Sequence, residues 1–233
     1  MHHLRSPRIL TLLAFFLFVL LPATAPAQDW QARLHGQWVS SSLETFDGAE
    51  LGDGSGFYLG AEKRLNERWG VEVGIGRSEL ESEETIQLDF FGLSIATEIG
   101  NRVEWMPLTL AANYHFPTGG DVDIYIAPRI GWAFMDDLEI RTNVDVGGGI
   151  VLPGFPIVFT LPDFGPTGSE VVSLDLDDAF LYGLRFGLER PFGDGTWSFS
   201  AALSLDVIEL ESDVGSFGDL DPLSVGIGVS RRF

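Results

Sequence analysis

Cysteine is absent from all 233 residues. That excludes both disulfide stapling and lipid attachment through a cysteine. Basic residues are scarce: 14 Lys and Arg stand against 34 Asp and Glu, for a formal net charge of −20. Such a chain repels nucleic acid, which is excluded as a partner. Beyond the first 27 residues there is also no apolar run near the roughly 20 residues a transmembrane helix needs, which excludes a helical membrane protein. Histidine is nearly missing too, with only His35 and His115 beyond that N-terminal stretch. The alternation described below turns both toward one polar face, away from any lipid-facing surface where lipid-modifying chemistry takes place, so no catalytic residue and no enzyme activity are expected. Gly147-Gly148-Gly149 lacks the Lys and the strand-to-helix setting of a phosphate cradle.

What is present begins with an address. His2, His3, Arg5 and Arg8 precede an apolar run from Ile9 to Leu21, and Ala25-Pro26-Ala27 supplies an A-x-A cleavage site. This reads as a secretory signal peptide over residues 1–27, with one β-barrel domain over residues 28–233. Removal of Arg5 and Arg8 takes the formal charge from −20 to −22. The remaining chain is rich in Gly (28), Phe (15) and Trp (6).

At roughly 9–11 residues per crossing, the length allows eight strands with four generous loops. Period-two segments supply them. They run near Trp30 to Ser41, Gly56 to Leu65, Trp69 to an acidic stretch from about Glu79, Arg102 to Phe116, Val122 to Phe134, Ala179 to Arg190, Thr196 to Ile208, and the closing Leu223 to Phe233. In the last, Val229, Ile227 and Val225 alternate with Ser230, Gly228 and Gly226 and end on Phe233, the pattern of a final barrel strand with its assembly signal. Pro128 cannot donate a ladder bond, so a bulge or local break is expected there.

Connections near 66–68, 117–121 and 192–195 are short, whereas those near 43–55, 78–101, 136–177 and 209–220 are long, and the two kinds alternate. Short turns belong in the periplasm and long loops outside. Aromatic residues then form two levels: Trp30, Trp69, Phe116, Trp197 and Phe233 near the periplasm, and Trp38, Phe57, Trp132 and Tyr182 near the outside. Trp30 to Trp38 spans about 20 Å of height after strand tilt, close to the apolar band of such barrels. The fold class is therefore all-β: an eight-stranded antiparallel transmembrane barrel in the outer membrane of a Gram-negative bacterium.

Several segments resemble the OmpW family of small outer-membrane proteins. Trp105-Met106-Pro107-Leu108-Thr109-Leu110-Ala111-Ala112-Asn113-Tyr114-His115-Phe116 is similar to that family's Pro-x-Thr-Leu…Tyr-x-Phe strand, and Leu220-Asp221-Pro222-Leu223 through Gly226-Ile227-Gly228 to Arg232-Phe233 is similar to its close. Arg68-Trp69-Gly70-Val71-Glu72 and Ser204-Leu205-Asp206-Val207 resemble it more weakly, and Arg231 stands where the family usually has Tyr. The resemblance implies a narrow, porin-like barrel that passes small hydrophobic molecules.

The residues themselves divide the lumen. Arg33, His35, Glu62, Arg64, Glu72, Arg129, Arg185, Glu189 and Asp206 point inward as a polar network, and mixed charge in so narrow a bore favours a salt-bridged plug. Trp105, Leu181 and Ile208 point inward higher up and are the candidate hydrophobic pathway, with Phe155 of the apolar segment 150–159 either lining it or packing on the barrel mouth or lipid. About two-thirds of the acids fall in the outer loops, including Glu79-Leu80-Glu81-Ser82-Glu83-Glu84, with Asp175-Leu176-Asp177-Asp178 at the end of the longest. Neither run has the spacing of a calcium loop, so no metal or other cofactor is expected, and a solvated surface beside lipopolysaccharide is the reading. The expected partners are outer-membrane lipid and lipopolysaccharide, the barrel-assembly machinery and a small hydrophobic solute, with a monomer as the state of a closed barrel. The alternative function is a non-conducting barrel whose acidic loops bind partners or stabilise the envelope.

Overall fold

Alternation of apolar and polar residues gives each strand one lipid face and one lumen face, and the strands satisfy their backbone groups only by closing on each other. The computed structural model describes residues 30–41, 52–90, 93–151, 158–160, 169–212 and 215–233. The expected signal peptide and Phe155 lie outside the described residues. Eight strands form the ring: β1 (Trp30–Ser40), β2 (Asp53–Arg64), β3 (Trp69–Phe90), β4 (Leu93–Phe116), β5 (Asp123–Met135), β9 (Ala179–Phe192), β10 (Trp197–Ser212) and β12 (Leu223–Arg232). Each pairs antiparallel with its neighbours in that order, and β12 returns to β1 with Gln31 opposite Arg232 and Ser40 opposite Leu223. Phe233 N–H donates to the Trp30 carbonyl at 2.9 Å and completes the closure at the short-turn end.

The short turns are fixed by their own side chains. Asn66 Oδ1 accepts from the backbone N–H groups of Arg68 (2.9 Å) and Trp69 (3.0 Å), and Asp194 Oδ1 accepts from Thr196 N–H (2.9 Å).

At the other end the structure corrects the expected strand limits. The stretch from Glu79, expected as a loop, continues β3 to Phe90, and β4 begins at Leu93, so the two form one long hairpin. Its charges alternate with inward residues and meet across the strands: Arg102 lies 3.1 Å from Glu79, 3.3 Å from Glu81 and 2.5 Å from Glu104, and Arg77 pairs with Glu104. The connection expected over 136–177 contains β6 (Leu138–Val151), β7 (Val158–Thr160) and β8 (Ser169–Leu174), and that over 209–220 contains the end of β10 and β11 (Gly215–Leu220). Strands β6 and β8 add to the upper part of β4, raising a sheet above the membrane on one side of the mouth.

Two of the three prolines in the ring strands, Pro107 and Pro128, open a ladder without shifting it, while Pro191 stays paired with Ser198. Between β4 and β5 the pairs Ala111 with Arg129 and Tyr114 with Ile126 flank a gap at Pro128 in unchanged register, a break rather than a bulge. The same holds between β3 and β4, where Ile75 with Leu108 and Ser78 with Trp105 flank a gap at Pro107. Proline lacks the donor that one neighbouring strand needs, while its other neighbour remains paired.

Candidate functional site: the barrel lumen

Inward parity brings the predicted polar residues into one layer of the lower, periplasmic half. Arg33 on β1 is its hub: it bonds Glu62 of β2 (2.5 Å), Glu189 of β9 (2.6 Å) and Glu72 of β3. All four side chains are essentially sealed from solvent. Arg185 adds a 2.8 Å contact to Glu72 and lies over the Tyr58 ring at 3.8 Å, and Arg33 lies over Tyr125 at 4.7 Å. Arg129 pairs with Asp206 at the top of the layer, through Nε at 2.6 Å and through its terminal nitrogen. Arg64, at the periplasmic edge, contacts Glu62 at 3.1 Å and pairs with Asp123. With Arg232 3.2 Å from Asp123, five guanidinium groups thus face five carboxylates, Glu62, Glu72, Glu189, Asp206 and Asp123, and the layer is close to neutral. His35 is buried against Ser200 Oγ at 2.7 Å.

Further members complete the layer beyond those singled out from sequence. Gln31 donates to Glu189 (2.5 Å) and Ser230 (3.0 Å), Asn113 donates to Glu62 (2.9 Å), and the Tyr58 hydroxyl donates to Glu72 (2.7 Å). His115 lies 2.9 Å from both Glu62 and Asp123. Their inward parity was visible in the alternation; their partners, on other strands, were not. The two buried tyrosines lie against glycines, because a Cβ at Gly74 would come within 1.8 Å of the Tyr58 hydroxyl and one at Gly187 within 2.0 Å of the Tyr125 ring. These absent side chains let the rings lie flat against the barrel wall.

The upper, extracellular half differs in kind. Trp105, Leu181 and Ile208 come together there in one buried apolar cluster with Val39, Leu80, Val103, Met135, Leu210 and Leu220. Leu138 and Leu176, from the connection between β5 and β9, are part of it, with Ile140 and Leu174 packed against them. Leu80, Met135, Leu138, Leu176, Leu210 and Leu220 lie past the expected strand ends, whereas Val39 and Val103 lie within expected strands; continuing the parity from Trp105 to Val103 and from Ile208 to Leu210 finds some of them. Met135 N–H donates to Asp178 Oδ1 at 3.2 Å, which holds this cover near its base. Arg129 and Asp206 form the floor, since both pair across to Gly183, one step below Leu181.

Outside, the apolar band carries Leu34, Val73, Leu110, Ile130, Phe186 and Ile227, the last 72% exposed, between aromatic levels. Trp69, Tyr114 and Phe116 contact edge to face at 5.0 Å near the periplasm, and Trp132 meets Phe180 at 5.3 Å near the outside. Of the expected assembly signal, Ile227 faces lipid, Val229 lies two residues on along the same face, and the Phe233 ring lies under Arg231 at 4.8 Å. Among the described residues no three His, Asp or Glu side chains converge as a metal site.

A closed ring of eight antiparallel strands, apolar outside and sealed by side chains within, defines a small outer-membrane β-barrel. The chain belongs to the outer membrane protein beta-barrel domain family, whose model matches residues 11–233. This is a family of non-enzymatic barrels of the Gram-negative outer membrane. Among solved structures the chain is similar to Neisserial surface protein A, at 14% identity with a TM-score of 0.50, over 90% of this chain and 100% of that one. It is also similar to Ail, the attachment invasion locus protein of Yersinia pestis (12% identity, TM-score 0.42, 88% and 100% covered), and to OprG from Pseudomonas aeruginosa (16%, 0.46, 89% and 96%). No curated protein sequence matches the chain significantly.

Proposed function

We propose that this barrel is a narrow, OmpW-like conduit for passive movement of small hydrophobic molecules, which occupy the upper lumen and exchange sideways with lipid rather than crossing to the periplasm. The observation that carries this reading is the division of the lumen. A buried cluster of apolar side chains fills the extracellular mouth, and the ion-paired layer beneath it blocks an axial path, because passage there requires separating charges already withdrawn from water. The seam at Pro107, two residues from Trp105 and on the same inward face, supports a lateral route at the height of this cluster.

The test joins two measurements on refolded protein whose barrel is verified by heat-modifiable migration. In planar bilayers we expect no discrete ionic conductance. In detergent-free vesicles an alkane-like solute should shift the emission of Trp105, the one fully buried tryptophan, in a saturable manner that Ala133→Trp abolishes by crowding the cluster. Discrete conductance blocked by the solute would replace the lateral route by an axial one, and an unsaturable response would remove the cluster as a binding site.

A second reading, a non-conducting barrel whose acidic outer surface binds partners or stabilises the envelope, is favoured by one observation. The sheet above the membrane carries a groove of about 450 Å³ lined by Glu81, Glu83, Glu98, Glu139, Arg102 and Arg141, suited to the cations of a lipopolysaccharide layer. If Ala133→Trp restores envelope integrity to a strain lacking the protein, this second reading takes precedence.

A further inference from the structure

Outward-facing cations occur at both rims of the barrel, in different company. At the extracellular rim every such arginine is matched by carboxylates: Arg77 by Glu104, Arg102 by Glu79, Glu81 and Glu104, and Arg141 by Glu139 at 2.9 Å. At the periplasmic rim cations lie over aromatic rings. Arg231 lies 5.3 Å over Trp197 and 4.8 Å over Phe233, and Lys63 lies 5.6 Å over Trp30. Arg190 is exposed on the lipid face directly opposite Phe199, whose ring stacks on Phe192 at 4.5 Å. Neither Arg190 nor Arg231 has an ion-pair partner among the described residues.

These groups lie on one wall of the ring, on the adjacent strands β9, β10, β12, β1 and β2. Arg190 and Arg231 stand two strands apart and two residues offset in register, since Arg190 is level with Phe199 and Val229; that is about 12 Å at the usual strand spacing and rise, within the combined reach of two arginine side chains toward one anion. On the opposite wall, at the same height, β3, β4 and β5 present Trp69, Tyr114, Phe116 and Ile124, and no lipid-facing strand residue there is basic; His115 points inward and Arg68 stands in the turn before β3. A guanidinium held at an aromatic girdle with no carboxylate in ion-pair contact keeps its terminal N–H donors for a phosphate; the Nε of Arg231 is buried, and Asp194 in the turn before β10 lies within its electrostatic reach. Its aliphatic stem packs on apolar surface while its head reaches the polar boundary of the bilayer.

We propose that this wall binds the headgroup phosphate of an anionic phospholipid in the periplasmic leaflet, with Arg190 and Arg231 as its ligands and the girdle of Trp30, Trp197 and Phe199 against the glycerol and upper acyl chains. The carboxylate-matched arginines of the opposite rim make no such site. A zwitterionic headgroup is disfavoured because its ammonium faces two guanidinium groups, so the preference is for net negative lipid.

The test uses the full refolded barrel in bilayers containing spin-labelled phosphatidylglycerol or spin-labelled phosphatidylcholine, and measures relative association at the protein surface. The native protein should prefer phosphatidylglycerol on the order of ten-fold, as expected for two basic groups near a lipid phosphate. The preference should fall toward unity in Arg190→Gln/Arg231→Gln, persist in Arg190→Lys/Arg231→Lys, and persist in Arg77→Gln/Arg102→Gln at the other rim. Heat-modifiable migration verifies that each variant forms the barrel. No preference in the native protein, or one that the double glutamine variant leaves intact, would overturn the proposal; displacement by millimolar inorganic phosphate would show a free-phosphate site instead of a lipid site and overturn it equally.

Discussion

The lower and upper halves of the lumen are filled by opposite chemistry. Below, Arg33 alone reaches strands β1, β2, β3 and β9 through three carboxylates, so each partner depends on the others' geometry. Above, Trp105, Leu181 and Ile208 touch through non-directional packing that side chains of similar volume satisfy equally. The lower half is specified by pairing and the upper half by volume. That difference sorts what each half tolerates: the ion-paired layer is intolerant of partial change, and the apolar layer is adaptable.

The largest effect is expected where the pairing is densest. Arg33→Ala leaves Glu62, Glu72 and Glu189 buried without their common partner, and breaking a single buried pair already costs about 3–5 kcal/mol. Urea titration of the refolded barrel should find this variant unable to fold or the least stable of the set. The comparison sharpens at Arg129: Arg129→Leu alone should cost on the order of 3 kcal/mol, whereas Arg129→Leu with Asp206→Leu should lie near native stability, since removing both charges also removes their desolvation. In the upper half Trp105→Ala should cost about 3 kcal/mol through the cavity it leaves, while Leu181→Met, which conserves volume, should cost less than about 1.5 kcal/mol. Equal sensitivity of the two halves to such shape-conserving changes would break the distinction.

How much of this was legible in the sequence depended on whether its cause was local. The closing strand, with Val225, Ile227 and Val229 outward and Ser224, Gly226 and Ser230 inward, is a property of consecutive residues, whereas its register against β1 is set only in the closed ring. The acidic stretch from Glu79 is the opposite case. Read alone it is a loop, and it becomes a strand because Arg102, on the other arm of the hairpin, lies beside Glu79 and Glu81. The upper lumen was only partly legible for the same reason: Leu138 and Leu176 enter it from a connection whose path no local pattern records. Inward parity identified the members of the polar layer, while the hub role of Arg33 needed the closed ring that sets four strands around it.

A smaller effect is expected at the close approach of Tyr58 to the wall. Gly74→Ala places a methyl within the Tyr58 hydroxyl, and shifting that ring strains its bond to Glu72, so a loss of about 1–3 kcal/mol is expected in the same titration. An equivalent substitution with no cost would mean that the lower layer has the same slack as the upper.

The smallest effect has the opposite sign and separates the two seams. Pro107→Ala returns a backbone donor to the gap between β3 and β4, and Pro128→Ala does so between β4 and β5, each worth about 0.5–1.5 kcal/mol of added stability. Stability alone does not distinguish them, but position does. Pro107 lies beside Trp105 at the level of the apolar cluster, whereas Pro128 lies one residue from Arg129, beside the ion-paired floor. Transfer of a hydrophobic solute into the bilayer, followed by Trp105 emission, should therefore slow in Pro107→Ala and stay at the native rate in Pro128→Ala. Equal slowing would make the seams passive features of a stiffened ring, and no slowing in either would remove the lateral route while leaving the apolar cluster in place.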